Sequence, residues 1–234
     1  MGGRFWIVML IRLVVAALVI GWFASYLRPE GGDKEFQAAV EAMKQIHSMR
    51  VAFTSNNDPA HPVSRSWEVV CSQHAYHYVE HSTDDPKLAA TYNHDEFRVG
   101  TITYAGKDGG WQLAKNSVGM SADDFCTRLA NGQEAQVMPP FTYMVSRAVI
   151  QKGSKKTVNG VRCRDWNVAI RSGPAGIEHD TICLGVDDHL PYERTIDWQH
   201  SRTVFSDYNA PFQLELPDGA AQAAQQASAA PVSN

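Results

Sequence analysis

The chain has 234 residues, enough for one sizeable domain, with hydrophobic and charged fractions of 44% and 20% that are ordinary for a globular protein. Its formal net charge of −4 speaks against a nucleic-acid binder, which would carry a broad basic patch. The Lys155–Lys156 pair and the nearby Arg162 and Arg164 are local basic spots of a solvated strand edge.

The first element is apolar. From Phe5 to Leu27 the run is interrupted only by Arg12, and roughly 20 apolar residues cross a bilayer as a helix. A charge at the centre of such a span costs about 2.5–3.5 kcal/mol. Arg12 therefore belongs near the cytoplasmic end, where it snorkels towards the headgroups, with Trp22, Phe23 and Tyr26 as an aromatic belt at the other interface. The alternative is a cleaved secretory signal centred on Leu13–Ala24. It lacks a small–x–small site, because Trp22 stands two places before Ala24 and Phe23 two before Ser25. Residues 1–27 are thus expected to be a retained signal anchor. Arg4 and Arg12 precede its apolar centre, and positive charge stays inside. That makes the chain a single-pass protein of the inner (cytoplasmic) membrane, with residues 28–217 as a periplasmic domain.

Arg28–Asp33 is a polar linker ending in an N-cap candidate, Asp33. Phe36, Ala39, Val40, Met43 and Ile46 recur at helical spacing and predict an amphipathic helix over Lys34–Met49. The period then falls to two: Val51 and Phe53, then Trp67, Val69 and Cys71, then Phe97 and Val99. Ile102 and Tyr104 continue on even positions, so a bulge or bend is expected at Gly100. Two short helices interrupt the strands. One is Ala122–Ala130, capped by Ser121 and followed by Gly132; the other is Phe141–Ile150, opened by Pro140 and closed by Gly153. Strands resume from Thr157 to Asp207, with Trp166, Val168 and Ile170 sharing a face with Ile182 and Leu184, and with Ile196 and Trp198 in the next strand. Residues 218–234, rich in Ala, Gln and Ser, form a disordered tail.

All four cysteines follow the apolar run, as suits an oxidising compartment, and without a Cys-x-x-Cys there is no zinc-ribbon or thioredoxin signature. Strands Arg162–Ile170 and Glu178–Val186 flank the turn Ser172–Gly176, and Cys163 and Cys183 are equidistant from Gly173. A symmetrical hairpin sets them opposite each other and predicts Cys163–Cys183, leaving Cys71 with Cys126. Four buried thiols in a reducing compartment are the alternative.

Chemistry-bearing groups do not assemble into a site. In a strand, His77 and His81 of the segment His74–His81 share one face while His74 and Glu80 take the other, which is no metal-binding order. Asp187-Asp188-His189 and Asp84-Asp85-Pro86 read as turns. Gly106–Gly110 lacks the Gly-Lys-Ser/Thr ending of a phosphate loop. Neither catalysis nor a metal nor a cofactor is expected.

Several segments together carry a resemblance: Phe97–Tyr104 followed by Gly110-Trp111, Val158–Trp166, Cys183–Asp187 with Leu190-Pro191, and Phe205–Pro211 with Leu214–Pro217. In this order they resemble the superfamily of periplasmic lipoprotein and lipid carriers of the LolA and LppX type, over roughly residues 33–217. The resemblance implies an α+β fold, a strongly curved antiparallel β-sheet forming an open half-barrel with helices on its concave face. It also implies lipid or lipoprotein acyl chains lying between sheet and helices. The lining expected from the strand pattern is Trp67, Val69, Phe97, Val99, Trp166, Val168, Ile182 and Trp198. Unlike a diffusing carrier, this domain is expected to be tethered, and its linker, reaching at most ~20 Å, is too short for ferrying between two membranes. Two non-enzymatic readings stay open: a tethered binding module for a hydrophobic ligand, and an envelope scaffold using the same sheet with a filled core.

Overall fold

Chain order and spatial order nearly coincide in this protein. The computed structural model describes residues 32–59, 61–85, 88–89, 93–107, 110–114, 120–133, 137–171 and 176–220. The expected anchor and all but the start of the expected tail lie outside them. Among the described residues no helix is long and apolar enough to cross a membrane.

Helix α1 (Gly32–Met43) leads into β1 (Ser48–Ser55), from which β2 (Val63–Val70), β3 (Ala75–His81), β4 (His94–Val99), β5 (Ile102–Lys107) and β6 (Gly110–Leu113) step outwards. Helices α2 (Ala122–Ala130) and α3 (Phe141–Arg147) then carry the chain to the opposite edge. There β7 (Ala148–Val158) starts a second meander through β8 (Val161–Arg171), β9 (Ile177–Gly185) and β10 (Pro191–Ile196) to β11 (Ser201–Ser206), which pairs with β1. The result is one antiparallel sheet of eleven strands whose edges, β6 and β7, do not meet. The expected open α+β half-barrel is what forms.

Local chemistry accounts for most boundaries. Ser121 caps α2, its Oγ accepting from the Asp124 N–H at 3.0 Å, and Gly132 beyond the helix takes φ +66°. Helix α1 stops at Met43, six residues short of the expectation, because Ser48 and Met49 pair with Val70 and Val69 in the sheet. Asp33 lies in the first turn of α1 rather than at its cap, where its charge still favours the helix N-terminus. Helix α3 ends at Arg147, and Ala148–Ile150 open β7 instead of continuing it. Gly153, expected to close that helix, sits at the irregularity where the β7–β8 register shifts. Gly100, with φ +56°, turns β4 into β5 as a tight hairpin, which explains the change of apolar parity across it.

Both disulfides are present, Cys71–Cys126 and Cys163–Cys183, with Cα atoms 5.6 and 5.5 Å apart. The hairpin register differs from the expected one. Cys163 pairs with Gly185 and Cys183 with Asp165, so the bridge runs diagonally across β8 and β9 rather than between facing residues. A diagonal neighbour on one sheet face is still within disulfide reach.

The sheet's two faces are covered differently. On the inner face, Phe36 of α1 meets Phe141 of α3 edge to face at 5.0 Å and Trp166 of β8 at 6.4 Å. On the outer face the C-terminal segment after β11 acts as a strap. The Asn209 side chain accepts from the His47 N–H at 2.8 Å, Gln73 and Leu214 exchange two hydrogen bonds, and Ala220 is buried against Phe97 and Tyr104.

Candidate binding face

Strand register assigns each side chain to a face. Met49, Val51 and Phe53 of β1 point inwards, and across the sheet so do their partners Val69, Trp67 and Arg65 of β2. The same rows continue into Tyr76, Tyr78 and Glu80 of β3. In the other direction they reach Phe205 and Thr203 of β11, Arg194 and Ile196 of β10, Asp180 and Ile182 of β9, and Trp166 and Val168 of β8.

This inner face has two parts. Over β7–β9, beneath α1 and α3, it is packed: Phe36, Phe141, Met144 and Ile182 are 0% exposed. The packing extends to Met49, Val51, Val69 and Phe205 at the upper ends of their strands, the ends nearer α2. Four methionines, Met43, Met49, Met138 and Met144, belong to this cluster. Methionine is flexible and polarisable, so such a cluster adapts to a change of shape more readily than one built of branched side chains. Below it the character changes. Phe53, Trp67, Tyr78, Thr203 and Ile196 form a mainly aromatic floor that is only half-buried, with the rings of Trp67 and Tyr78 5.0 Å apart.

Charged pairs flank that floor. Arg65 Nε donates to Glu80 Oε1 at 2.9 Å, lies 5.4 Å over the Phe53 ring, and Glu80 Oε2 accepts the Tyr78 hydroxyl at 2.5 Å. On the other flank, Arg194 holds the buried Asp180 through Nε at 3.0 Å and Nη2 at 2.5 Å. Burial pushes the Asp180 carboxyl above its usual range, with Arg194 pulling against that shift. Burial, together with the bond to Glu80, also raises the Tyr78 hydroxyl well above its usual value, so it remains a neutral donor. An apolar floor between satisfied ion pairs can hold an apolar chain while offering hydrogen-bonding groups at its margins.

The residues expected to line a site separate into three sets. Trp67, Val69, Trp166, Val168 and Ile182 share the inner face. Phe97 and Val99 lie on the outer face, since they alternate with the inward Glu96 and Arg98; Phe97 is buried under the C-terminal strap and Val99 is exposed. Trp198 lies beyond the end of β10 in a 3-10 turn, Asp197–Gln199, and is 55% exposed. Periodicity alone does not say which of two faces a strand turns to the helices, which is how Phe97 and Val99 entered the set. Phe53, Tyr78, Ile196 and the two arginines escaped it. The signal for Phe53 was present in its alternation with Val51, and Tyr78 sat within the histidine segment.

Those histidines each face a carboxylate of their own: His74 with Asp123 at 2.6 Å, His77 with Asp95 at 2.7 Å and His81 with Asp84 at 2.8 Å. Among the described residues no group of three or more His, Cys, Asp and Glu is placed to hold a metal ion. Two clefts flank the helices. One of about 980 Å³ opens beside α2 and the Cys71–Cys126 bridge; the other, of about 460 Å³, separates α1 from α3 along Val40 and Val145.

A curved open sheet with helices on its inner face defines the class, and it is the fold seen in LprF. The crystal structure of LprF from Mycobacterium bovis superposes with a TM-score of 0.56 and 14% identity, over 80% of this chain and 96% of LprF. Similarity extends more weakly to MucB (TM-score 0.44, 16% identity, 79% of this chain and 60% of MucB). It also reaches the LolA superfamily protein NE2245 from Nitrosomonas europaea (TM-score 0.27, 9% identity, 80% and 95%). No protein-family model and no curated protein matches the sequence.

Proposed function

We propose that this protein is a membrane-tethered, non-enzymatic binding module that holds a hydrophobic ligand, lipid or lipoprotein acyl chains, on the inner face of its sheet. The observation that carries this reading is the change of character along that face, from a packed, methionine-rich cluster to the half-buried floor of Phe53, Trp67, Tyr78 and Ile196. A purely structural sheet would gain by closing that floor over, since burying apolar area is worth about 25 cal/mol per Å². The apolar run Phe5–Leu27 supports tethering, and the two disulfides support an exported domain. Helix α1 begins at Gly32, which leaves a linker too short for ferrying between membranes, so the ligand is held or passed on beside the inner membrane.

The packed half of the same face is what an envelope scaffold would need, and one experiment separates the two. Native mass spectrometry of the full chain after gentle detergent extraction should show a bound lipid, lost on Trp67→Ala with the fold intact by circular dichroism. A folded wild type that carries no lipid and takes up no fluorescent fatty acid overturns the binding reading in favour of the scaffold.

A further inference from the structure

Scattered apolar side chains on a surface are ordinary, but a set gathered at one place marks a contact. Tyr143, Val149, Ile177 and Trp198 are 43%, 63%, 59% and 55% exposed, and strand register gathers them at one end of the sheet. Val149 pairs with Ala169, which pairs with His179, while Ile177 pairs with Arg171. With strands ~4.8 Å apart and ~3.3 Å per residue, Val149 and Ile177 are about 12 Å from each other. Ile196, two residues before Trp198, pairs with Asp180 of the same β9. Tyr143 lies one helical turn before Arg147, whose guanidinium is 5.4 Å from its ring, and Arg147 runs directly into β7.

The chain enters the domain at this same corner. A Cβ built on Gly32, the first residue of α1, would stand 2.4 Å from Cγ2 of Ile150, the neighbour of Val149. From Leu27, the end of the apolar run, to Gly32 is five residue steps, a reach of at most ~18 Å. If the run spans the bilayer, the surface around Ile150 cannot stand far from the headgroups. Tryptophan and tyrosine are the residues that favour that interface.

We propose, resting on the tethered reading above, that the end of the sheet bearing Val149, Ile177 and Trp198 sits on the periplasmic leaflet of the bilayer that holds the N-terminal segment. Contact is apolar rather than electrostatic. The exposed Arg147 and Arg171 are only partly offset by the exposed Asp197. The acidic loops with Asp58, Asp84 and Asp85 lie at the far side of the same end, however, so these groups together form no basic patch. The placement also names the ligand's source. Phe53 and Ile196 belong to the inner-face rows nearest this end, where Ile196 faces Ser201 and Asp180. The half-buried floor therefore opens towards the membrane, and its ligand is a lipid or acyl chain drawn from that leaflet.

The test uses the full chain reconstituted into vesicles of phosphatidylethanolamine and phosphatidylglycerol, with the photo-crosslinker p-benzoylphenylalanine replacing Val149, Ile177 or Trp198 in turn. Ile102 and Val186, exposed at the opposite end of the sheet, are the controls. Illumination should give phospholipid adducts at the three positions in at least tenfold excess over the controls; equal yields overturn the placement. A carbonate wash run alongside tells the failures apart. A chain that washes off overturns the tether and this surface together, whereas one that stays but crosslinks equally from both ends overturns the surface alone. Strong crosslinking from a chain that co-purifies with no lipid upholds the surface and defeats the binding reading instead.

Discussion

The two parts of the inner face use the same residue types to different ends. Under α1 and α3, Trp166 is 3% exposed and meets Phe36 edge to face. On β2, Trp67 faces the same way but is only half-buried, with Tyr78 as its neighbour. One indole closes a core and the other forms a floor. The difference is supplied by what lies across from them: two helices over β7–β9 and, among the described residues, paired charges at the Phe53 rung. Identical side chains therefore predict opposite mutational profiles.

The largest expected effect is on the packed side. Trp166→Ala removes a buried ring from beneath α1 and should cost about 3–5 kcal/mol, read as a lower denaturation midpoint with an unchanged slope. A loss below about 1 kcal/mol would mean that the helices do not depend on that face. Next comes Cys163→Ser, which should cost about 2–4 kcal/mol and lower the melting temperature visibly. Non-reducing peptide mapping of the wild type should recover Cys163–Cys183 and Cys71–Cys126 and no other pairs.

On the open side the balance reverses. Trp67→Ala should cost less stability than Trp166→Ala yet reduce binding of a fluorescent fatty acid at least tenfold, measured by titration. If Trp67→Ala unfolds the domain as severely as Trp166→Ala, the two parts are one core. The smallest effect is a pH dependence on the outer face. Glu193 is buried, which alone would raise its pKa, but Lys156 and Arg202 hydrogen-bond it and hold it below the ordinary 4.5. A depressed folded pKa means that the unfolded chain binds the proton more readily, so this contribution is complete above pH 4.5 and is lost as the pH falls below it. Glu193→Gln should flatten the acid side of a melting-temperature profile. An unchanged profile would show that the pairing contributes nothing.

How much of this was legible beforehand varies with the element. The α2 cap was read correctly, because Ser121 and Gly132 act within a few residues of the helix they bound. Strand β7 was misread at its start and placed late: Gln151–Lys156 is polar and includes Gly153. An edge strand protected by lysines carries no apolar alternation to detect. Phe97 shows the converse. Its alternation with Val99 was real, but the buried face was the outer one, because Ala220 and Leu214 return more than a hundred residues later to cover it.

The sequence by itself determined the order of the elements and both disulfide pairings, since these depend on local periodicity, turn residues and cysteine placement. Tertiary structure alone decided which face of each strand meets the helices, the diagonal rather than facing geometry of Cys163–Cys183, and the removal of Trp198 from the inner face to an exposed turn. The physical reason is the period of two in a strand. It marks alternate residues as equivalent but leaves the choice of side to whatever packs against the sheet, and here that is a pair of helices on one side and a C-terminal strap on the other.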